Sequence, residues 1–418
     1  MENYSIVIFI LAIMIGLSAI ADKIKLPSPV LLIVAGITVG FIPAIPDVEL
    51  NPDIVFLIFL PPLLYDAAFN IPFREFKANI STIGTLAISL VFITASGIAV
   101  AAHYMIPGMS WPLAFVLGAI LSATDAVAAI SITKGLGLSR NTNTILEGES
   151  LVNDASALVA YRFAVAAVTG TAFILWKASL QFVILMGGGL LIGFIMAKFL
   201  AFIIKRVQEN HLATISFMLL APFVTYLFAE NVHVSGVIAV VTLGLTIARF
   251  SNKVFSDHLK RQSKSIWDII IFMLNGLIFI LIGLQLPVIV KNISPQKVLP
   301  YVGYAFIITV LALLLRLTRV FLQKTNLQRA FKKGDGKITE TALLDFKNSF
   351  IISWSGMRGI VSLAIAIAIP EHLANGQPFP ERSEIVFISI TVVLFTIIGQ
   401  GLTLPWLVKR LKIDQPTS

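Results

Sequence analysis

The segment Glu147-Gly148-Glu149-Ser150-Leu151-Val152-Asn153-Asp154 is the strongest concentration of polar chemistry in the sequence. Glu149 and Asn153 are four residues apart, as are Ser150 and Asp154, so on a helix each pair stacks on one face. Neighbouring positions differ by about 100°, and the four side chains line one broad polar wedge. Two carboxylates, an amide and a hydroxyl supply hard oxygens, the donors an unhydrated alkali cation requires. No His or Cys lies nearby in the sequence, which argues against zinc or a redox metal. Glu147 is expected at the helix start, where a polar residue caps free N–H groups. Asp154 lies about ten residues further into hydrocarbon, about 15 Å by helical rise.

Other ionisable residues fall in apolar runs: Asp66, Asp125, Arg162, Lys198, Arg316 and Arg358, with Glu230 and Asp268 near run ends. Each charge in hydrocarbon costs about 2.5–3.5 kcal/mol on insertion scales and needs a reason to be there. Thr124 and Asp125 belong to Ser122-Ala123-Thr124-Asp125-Ala126, a polar patch in mid-run. An unwound turn there would free backbone carbonyls for a cation and leave helix ends to be compensated, with Asp125 either at the site or capping a helix. Arg358 stands between glycines in Ser353-Trp354-Ser355-Gly356-Met357-Arg358-Gly359 and is expected to compensate helix ends. Asp66 lines an ion path or belongs to a helix kinked by Pro61-Pro62, and Arg162 is expected to balance Asp66 or another acid. Lys198 is expected to snorkel. His103, His211, His233 and His258 fall at loop edges.

The elements that hold these residues must cross a membrane. Of 418 residues 57% are apolar and 13% charged, and the mean hydropathy is +0.92. A soluble domain carries about 25% charged residues, so a water-soluble enzyme, a disordered chain and a coiled coil are all excluded. With no cysteine, disulfides, thiolate metal sites and a cysteine nucleophile are absent. Thirteen candidate spans lie at roughly 4–21, 28–43, 54–70, 80–106, 112–133, 145–169, 180–204, 212–229, 233–249, 266–286, 299–323, 348–369 and 384–408. Runs this long exclude barrel strands, so the fold class is an all-α polytopic membrane protein. Six helices on either side of a middle one suggest two inverted six-helix repeats. The interrupted fifth and twelfth spans occupy matching positions, the sequence pointer to a midplane ion site.

Of 31 Lys and Arg residues, 24 fall in or beside the loops following odd-numbered spans and four on the other side, so the +9 charge reports membrane orientation and not nucleic-acid binding. The N-terminus is expected outside and the C-terminus in the cytoplasm. The first run lacks a basic start, with Lys23 and Lys25 following it, so it is read as a retained helix and not a signal peptide. Residues 325–347 are expected to form a basic cytoplasmic linker containing Gly334 and Gly336. The whole of 1–418 is expected to be one integral membrane transport domain without a soluble regulatory domain.

Thr124-Asp125 followed by Glu149-Ser150-Leu151-Val152-Asn153-Asp154 resembles the first family of monovalent cation/proton antiporters, which includes the NhaP-type and animal-type sodium/proton exchangers. Leu60-Pro61-Pro62-Leu63-Leu64-Tyr65-Asp66-Ala67, Gly356-Met357-Arg358-Gly359 (with Met in place of Leu) and Gln400-Gly401-Leu402-Thr403 are similar to further signatures of that family, in order along the chain. Tyr161-Arg162-Phe163-Ala164-Val165-Ala166 looks like its bacterial branch. The resemblance implies thirteen helices with inverted repeats, a dimerisation domain and a mobile core, and a homodimer in the plasma membrane. It implies that Asp154 carries the cation or the proton, with Ser150, Asn153, the Thr124 carbonyl and Asp125 around it. It also implies that Glu149 pairs with an arginine of the eleventh helix, best matched by Arg316, with Arg319 one turn away.

The function expected is electroneutral exchange of one Na⁺ for one proton, the two competing for Asp154, with no cofactor beyond the transported ions. The family's electrogenic branch pairs two aspartates, and here Asn153 takes the first position. K⁺/H⁺ or broad Na⁺/Li⁺/K⁺ antiport is the alternative, since oxygen count and cavity size choose among alkali ions. An intramembrane enzyme would need a His or Ser constellation, and Ser150 has no His neighbour.

Overall fold

A computed structural model describes residues 2–24, 26–42, 52–133, 138–170, 175–207, 209–291, 293–333, 343–373 and 376–411. In chain order the helices are α1 (Glu2–Ile24), α2 (Ser28–Gly40), α3 (Pro52–Asn70), α4 (Phe73–Ala78), α5 (Ile80–Gly84), α6 (Leu90–Met105), α7 (Trp111–Ile120), α8 (Ala126–Thr133) and α9 (Arg140–Val168). They continue as α10 (Leu175–Val207), α11 (His211–Asn231), α12 (Gly236–Val254), α13 (Asp257–Lys291), α14 (Pro295–Lys332), α15 (Phe346–Trp354), α16 (Ile360–Ile367), α17 (Arg382–Leu394) and α18 (Gly401–Arg410). A π-turn, Thr85–Ser89, joins α5 to α6, and another, Phe395–Gln400, joins α17 to α18. Among the described residues the only β pairing is a single bridge between His372 and Pro378.

Helix is what hydrocarbon demands, because backbone polar groups find no water there and must pair within their own segment. Among the described residues eight continuous helical stretches are long and apolar enough to cross a membrane, so the protein is a multi-pass membrane protein. Leu121–Asp125 and Ser355–Gly359 are not helical and divide α7 from α8 and α15 from α16, leaving pieces shorter than a bilayer. Exposed Phe199 and Phe202 on α10, and Leu299 and Phe306 on α14, would be untenable in water and suit lipid.

The chain packs as two compact units. One comprises Asn51–Phe73 and Ala172–Asn275, hence α3, α10, α11, α12 and the beginning of α13. Within it the Gly188-Gly189 run of α10 lies against Val234 and Ser235, and the Arg249 guanidinium covers the Phe73 ring at 3.2 Å. Lys198 lies over the Phe194 ring at 5.2 Å.

The other unit comprises Met1–Leu50, Arg74–Thr171 and Gly276–Ser418. Its core joins Leu86 and Leu90 with Ile145 and Leu146 of α9, Val320 and Leu327 of α14 and Ile352 of α15. Two expectations need correction here. The sixth candidate span begins earlier than its apolar residues: α9 starts at Arg140, capped by Ser139, whose side chain accepts from Thr142 N at 3.1 Å. Glu147 therefore lies inside the helix and is not its cap. Likewise α14 runs on to Lys332, because its amphipathic end still buries Gln323 and Leu327 while Lys and Arg face outward, so no linker begins at 325. Gly334 and Gly336 lie outside the described residues.

Within this unit α2 and α13 meet backbone to backbone. A Cβ on Gly283 would stand 2.8 Å from Gly36 Cα and 2.7 Å from Ile37 N. Gly303 of α14, by contrast, has open space around it. Gly283→Val is therefore expected to destabilise by about 1–3 kcal/mol through overpacking, and Gly303→Ala to leave stability unchanged or raise it by under about 1 kcal/mol. Thermal unfolding of the purified variants in detergent checks both signs.

Candidate functional site

Thr124, Asp125, Glu149, Ser150, Asn153, Asp154, Arg316 and Arg358 all lie in the second of these units. Their meeting place is the pair of helix breaks. Asp125 N donates to Met357 O at 2.7 Å, tying one non-helical segment to the other. Each break exposes two helix ends, with partial positive charge at the N-termini and partial negative charge at the C-termini.

One acid and one base answer these four ends. Asp125 Oδ1 accepts from Val127 N at 2.8 Å and Ala128 N at 3.4 Å, capping α8, while Oδ2 accepts from Ile360 N at 3.4 Å at the start of α16. Arg358 Nε donates to Leu121 O at 3.0 Å, just past α7, and Nη1 donates to Gly356 O at 2.7 Å, just past α15. The Arg358 side chain is fully buried. Its backbone N donates to Thr396 Oγ1 at 3.1 Å, a hydroxyl presented by the second π-turn. Thr396 was not anticipated from the sequence, since nothing in an apolar run announces a π-turn.

The glycines flanking Arg358 serve the neighbouring side chains. A Cβ on Gly359 would be driven into the Asp125 carboxylate, 2.6 Å from its Cγ, and one on Gly356 would collide with the Arg316 guanidinium, 2.9 Å from Cζ. Only glycine lets the chain pass that close to both.

Above the first break, α9 carries the polar wedge. Arg316 reaches from α14 to Glu149 and forms a two-pronged ion pair: Nη1 donates to Oε1, and Nη2 donates to Oε2 at 2.7 Å. Arg316 Nε donates to Ile352 O at 3.0 Å, and Thr124 Oγ1 donates to Glu149 Oε1 at 3.1 Å. Both charged side chains are 2% exposed. Arg319 instead contacts Ser89 Oγ at 3.4 Å.

Ser150 and Asn153 both bond to Thr124. Ser150 Oγ donates to Thr124 O at 3.1 Å and accepts from Ala126 N at 3.3 Å. Asn153 Nδ2 donates to Thr124 Oγ1 at 2.6 Å and to Thr124 O at 3.3 Å. The amide thus turns its nitrogen to the break, and its Oδ1 is buried with no hydrogen-bond partner among the described residues.

Asp154 stands out by contrast. It is buried, with Asp125 and Glu149 as the carboxylates that act on it electrostatically, and it makes no hydrogen bond among the described residues. Of these three acids, Glu149 is held by a guanidinium and half-buried Asp125 by two helix N-termini, while Asp154 has no such partner among the described residues. Asp66 belongs to the first unit, where Asn70 Nδ2 donates to its Oδ1 at 2.8 Å and Lys264 and Asp268 are its charged neighbours.

Residues 8–410 match the family model described as sodium/hydrogen exchanger, transmembrane. The chain belongs to that family. Its exchanger relatives include the sodium, potassium, lithium and rubidium/H⁺ antiporter of Bacillus pumilus, 36% identical over 420 residues, covering 98% of this chain and 62% of that protein. The chain thus spans less than two thirds of the length of that relative. The Na⁺/H⁺ antiporter ApNhaP of Aphanothece halophytica is 31% identical over 416 residues, covering 98% of this chain and 75% of that one. Among solved structures, the fold matches the sodium proton antiporter MjNhaP1 from Methanocaldococcus jannaschii at pH 8, with a TM-score of 0.71, 19% identity and coverage of 99% of this chain and 100% of that one.

Removing one partner of a buried ion pair strands the other charge, at about 3–5 kcal/mol, whereas replacing both with apolar residues can be nearly neutral. Glu149→Leu and Arg316→Met are each expected to lower the unfolding temperature sharply, and the double variant to recover much of the loss. A double-mutant cycle on the purified protein measures it.

Proposed function

We propose that the chain is a plasma-membrane antiporter that exchanges one Na⁺ for one proton, each taking its turn on Asp154. The observation that carries this reading is the unpaired buried carboxylate beside two neutralised ones. A bare carboxylate in a dry site is too costly to persist, so it holds either a proton or a cation. Loading with one excludes the other, which makes exchange one for one and electroneutral. On this reading Ser150, Asn153, Thr124 and Asp125 complete the site, and Asn153 Oδ1, buried without a hydrogen-bond partner among the described residues, is a second oxygen for the ion. For the Thr124 carbonyl to join, it must release the two donors it now accepts from Ser150 and Asn153. Cation binding on this reading loosens the break, a step that couples occupancy to movement of the broken helices. The Glu149–Arg316 pair keeps a neighbouring charge neutral throughout, and Arg358 and Asp125 compensate the helix ends. The Lys and Arg distribution supports an N-terminus outside and a C-terminus in the cytoplasm. The working form is a homodimer with inverted repeats, needing no cofactor.

A second reading keeps the site and widens the ion. The Bacillus pumilus relative is named for sodium, potassium, lithium and rubidium, which favours a broad monovalent selectivity.

Reconstituted vesicles carrying an internal pH dye separate these readings. Na⁺ addition should dissipate an imposed acid gradient, Asp154→Asn should abolish that response, and an imposed membrane potential should leave the rate unchanged. An equal response to K⁺ selects the broad reading. Cation-driven proton flux surviving in Asp154→Asn, or strong acceleration by voltage, refutes the proposal.

A further inference from the structure

Two histidines outside the polar cluster meet across helices of the first unit. His211 opens α11 directly after its cap Asn210, whose side chain accepts from Ala213 N at 3.0 Å. His258 lies in the first turn of α13. Their Nδ1 atoms face each other at 3.3 Å, with ring centroids 5.2 Å apart and planes 30° from parallel. His258 is exposed and His211 half-buried, so water reaches the pair.

A contact of this kind places one N–H and one lone pair between two rings. It is also the geometry of two ligands on one ion. Metal–nitrogen bonds of about 2.0–2.1 Å at a tetrahedral angle set the two nitrogens about 3.3–3.4 Å apart. We propose that His211 and His258 form a two-histidine site for a divalent transition-metal ion of the class that favours imidazole, Zn²⁺, Ni²⁺ or Cu²⁺.

Binding takes both Nδ1 lone pairs. The ring that now donates moves its proton to Nε2 through solvent, so the neutral pair loses no net proton. Among the described residues no third His, Cys, Asp or Glu completes a cluster, so water fills the other positions and the ion exchanges readily. Asp257 precedes His258 and Glu209 precedes His211 by two, while Lys260 and Arg261 follow in the next turn. Both helix starts follow loops of the Lys- and Arg-rich set. An ion here ties the beginning of α11 to the beginning of α13, both in the first unit, whereas the carboxylates Asp125, Glu149 and Asp154 belong to the second.

The test uses untagged full-length protein in lipid nanodiscs at about pH 7.5, titrated calorimetrically with Zn²⁺ and examined by Cu²⁺ electron paramagnetic resonance. One ion per chain is expected, with hyperfine splitting from two imidazole nitrogens. Either His211→Gln or His258→Gln should weaken binding by about tenfold or more, while His233→Gln should not. Unchanged metal-free unfolding temperatures establish that the variants fold. Absence of uptake by the parent protein, or uptake indifferent to both substitutions, overturns the assignment.

Discussion

A carboxylate removed from water must be neutralised, and this constraint organises the centre of the molecule. Two buried acids and a half-buried one lie close together, and each meets the requirement differently. Glu149 takes a guanidinium that grips both its oxygens. Asp125 spreads its charge over N–H groups from α8 and α16. Asp154 has neither solution among the described residues, and on the proposed reading a mobile ion balances its charge.

The helix breaks exist to serve this arrangement. A continuous helix presents no free N–H or C=O at mid-membrane, whereas two interrupted ones present four ends in hydrocarbon, each in need of a partner. Arg358 supplies donors to carbonyls beyond α7 and α15, and Asp125 supplies acceptors to the N-termini of α8 and α16. Glycines at 356 and 359 admit the side chains of Arg316 and Asp125, so the ion pair and the crossing share one stretch of backbone. The Thr396 hydroxyl, turned inward by a π-turn, holds the backbone of Arg358. Displacing any of these parts would be felt at the others, because they share hydrogen-bond partners.

Much of this was legible before the structure. The four-residue spacings in Glu149–Asp154 placed their polar groups on one wedge, and polar residues in two apolar runs marked the breaks. What stayed hidden had physical reasons. Hydropathy cannot see the first turns of α9, which are polar and held by a Ser139 cap, or the charged end of α14, which is helical by amphipathicity. Arg316 and Arg319 are three residues apart and nearly share a helix face, so spacing alone does not choose between them; the resemblance favours Arg316, and the fold pairs it with Glu149 and turns Arg319 to Ser89. The use of one aspartate to cap two helices depends on a crossing between segments far apart in the chain, which no local pattern encodes.

Competition at Asp154 is tested most directly by counting protons. Calorimetric Na⁺ titration of the purified protein, repeated in buffers of different ionisation enthalpy over a range of pH, measures the protons released per cation bound. The account predicts release approaching one as the pH is lowered to where the acid is protonated, an apparent affinity that weakens on further acidification, and loss of the coupled release in Asp154→Asn. Cation binding that releases no proton at any pH, or release that persists without the Asp154 carboxylate, would contradict it.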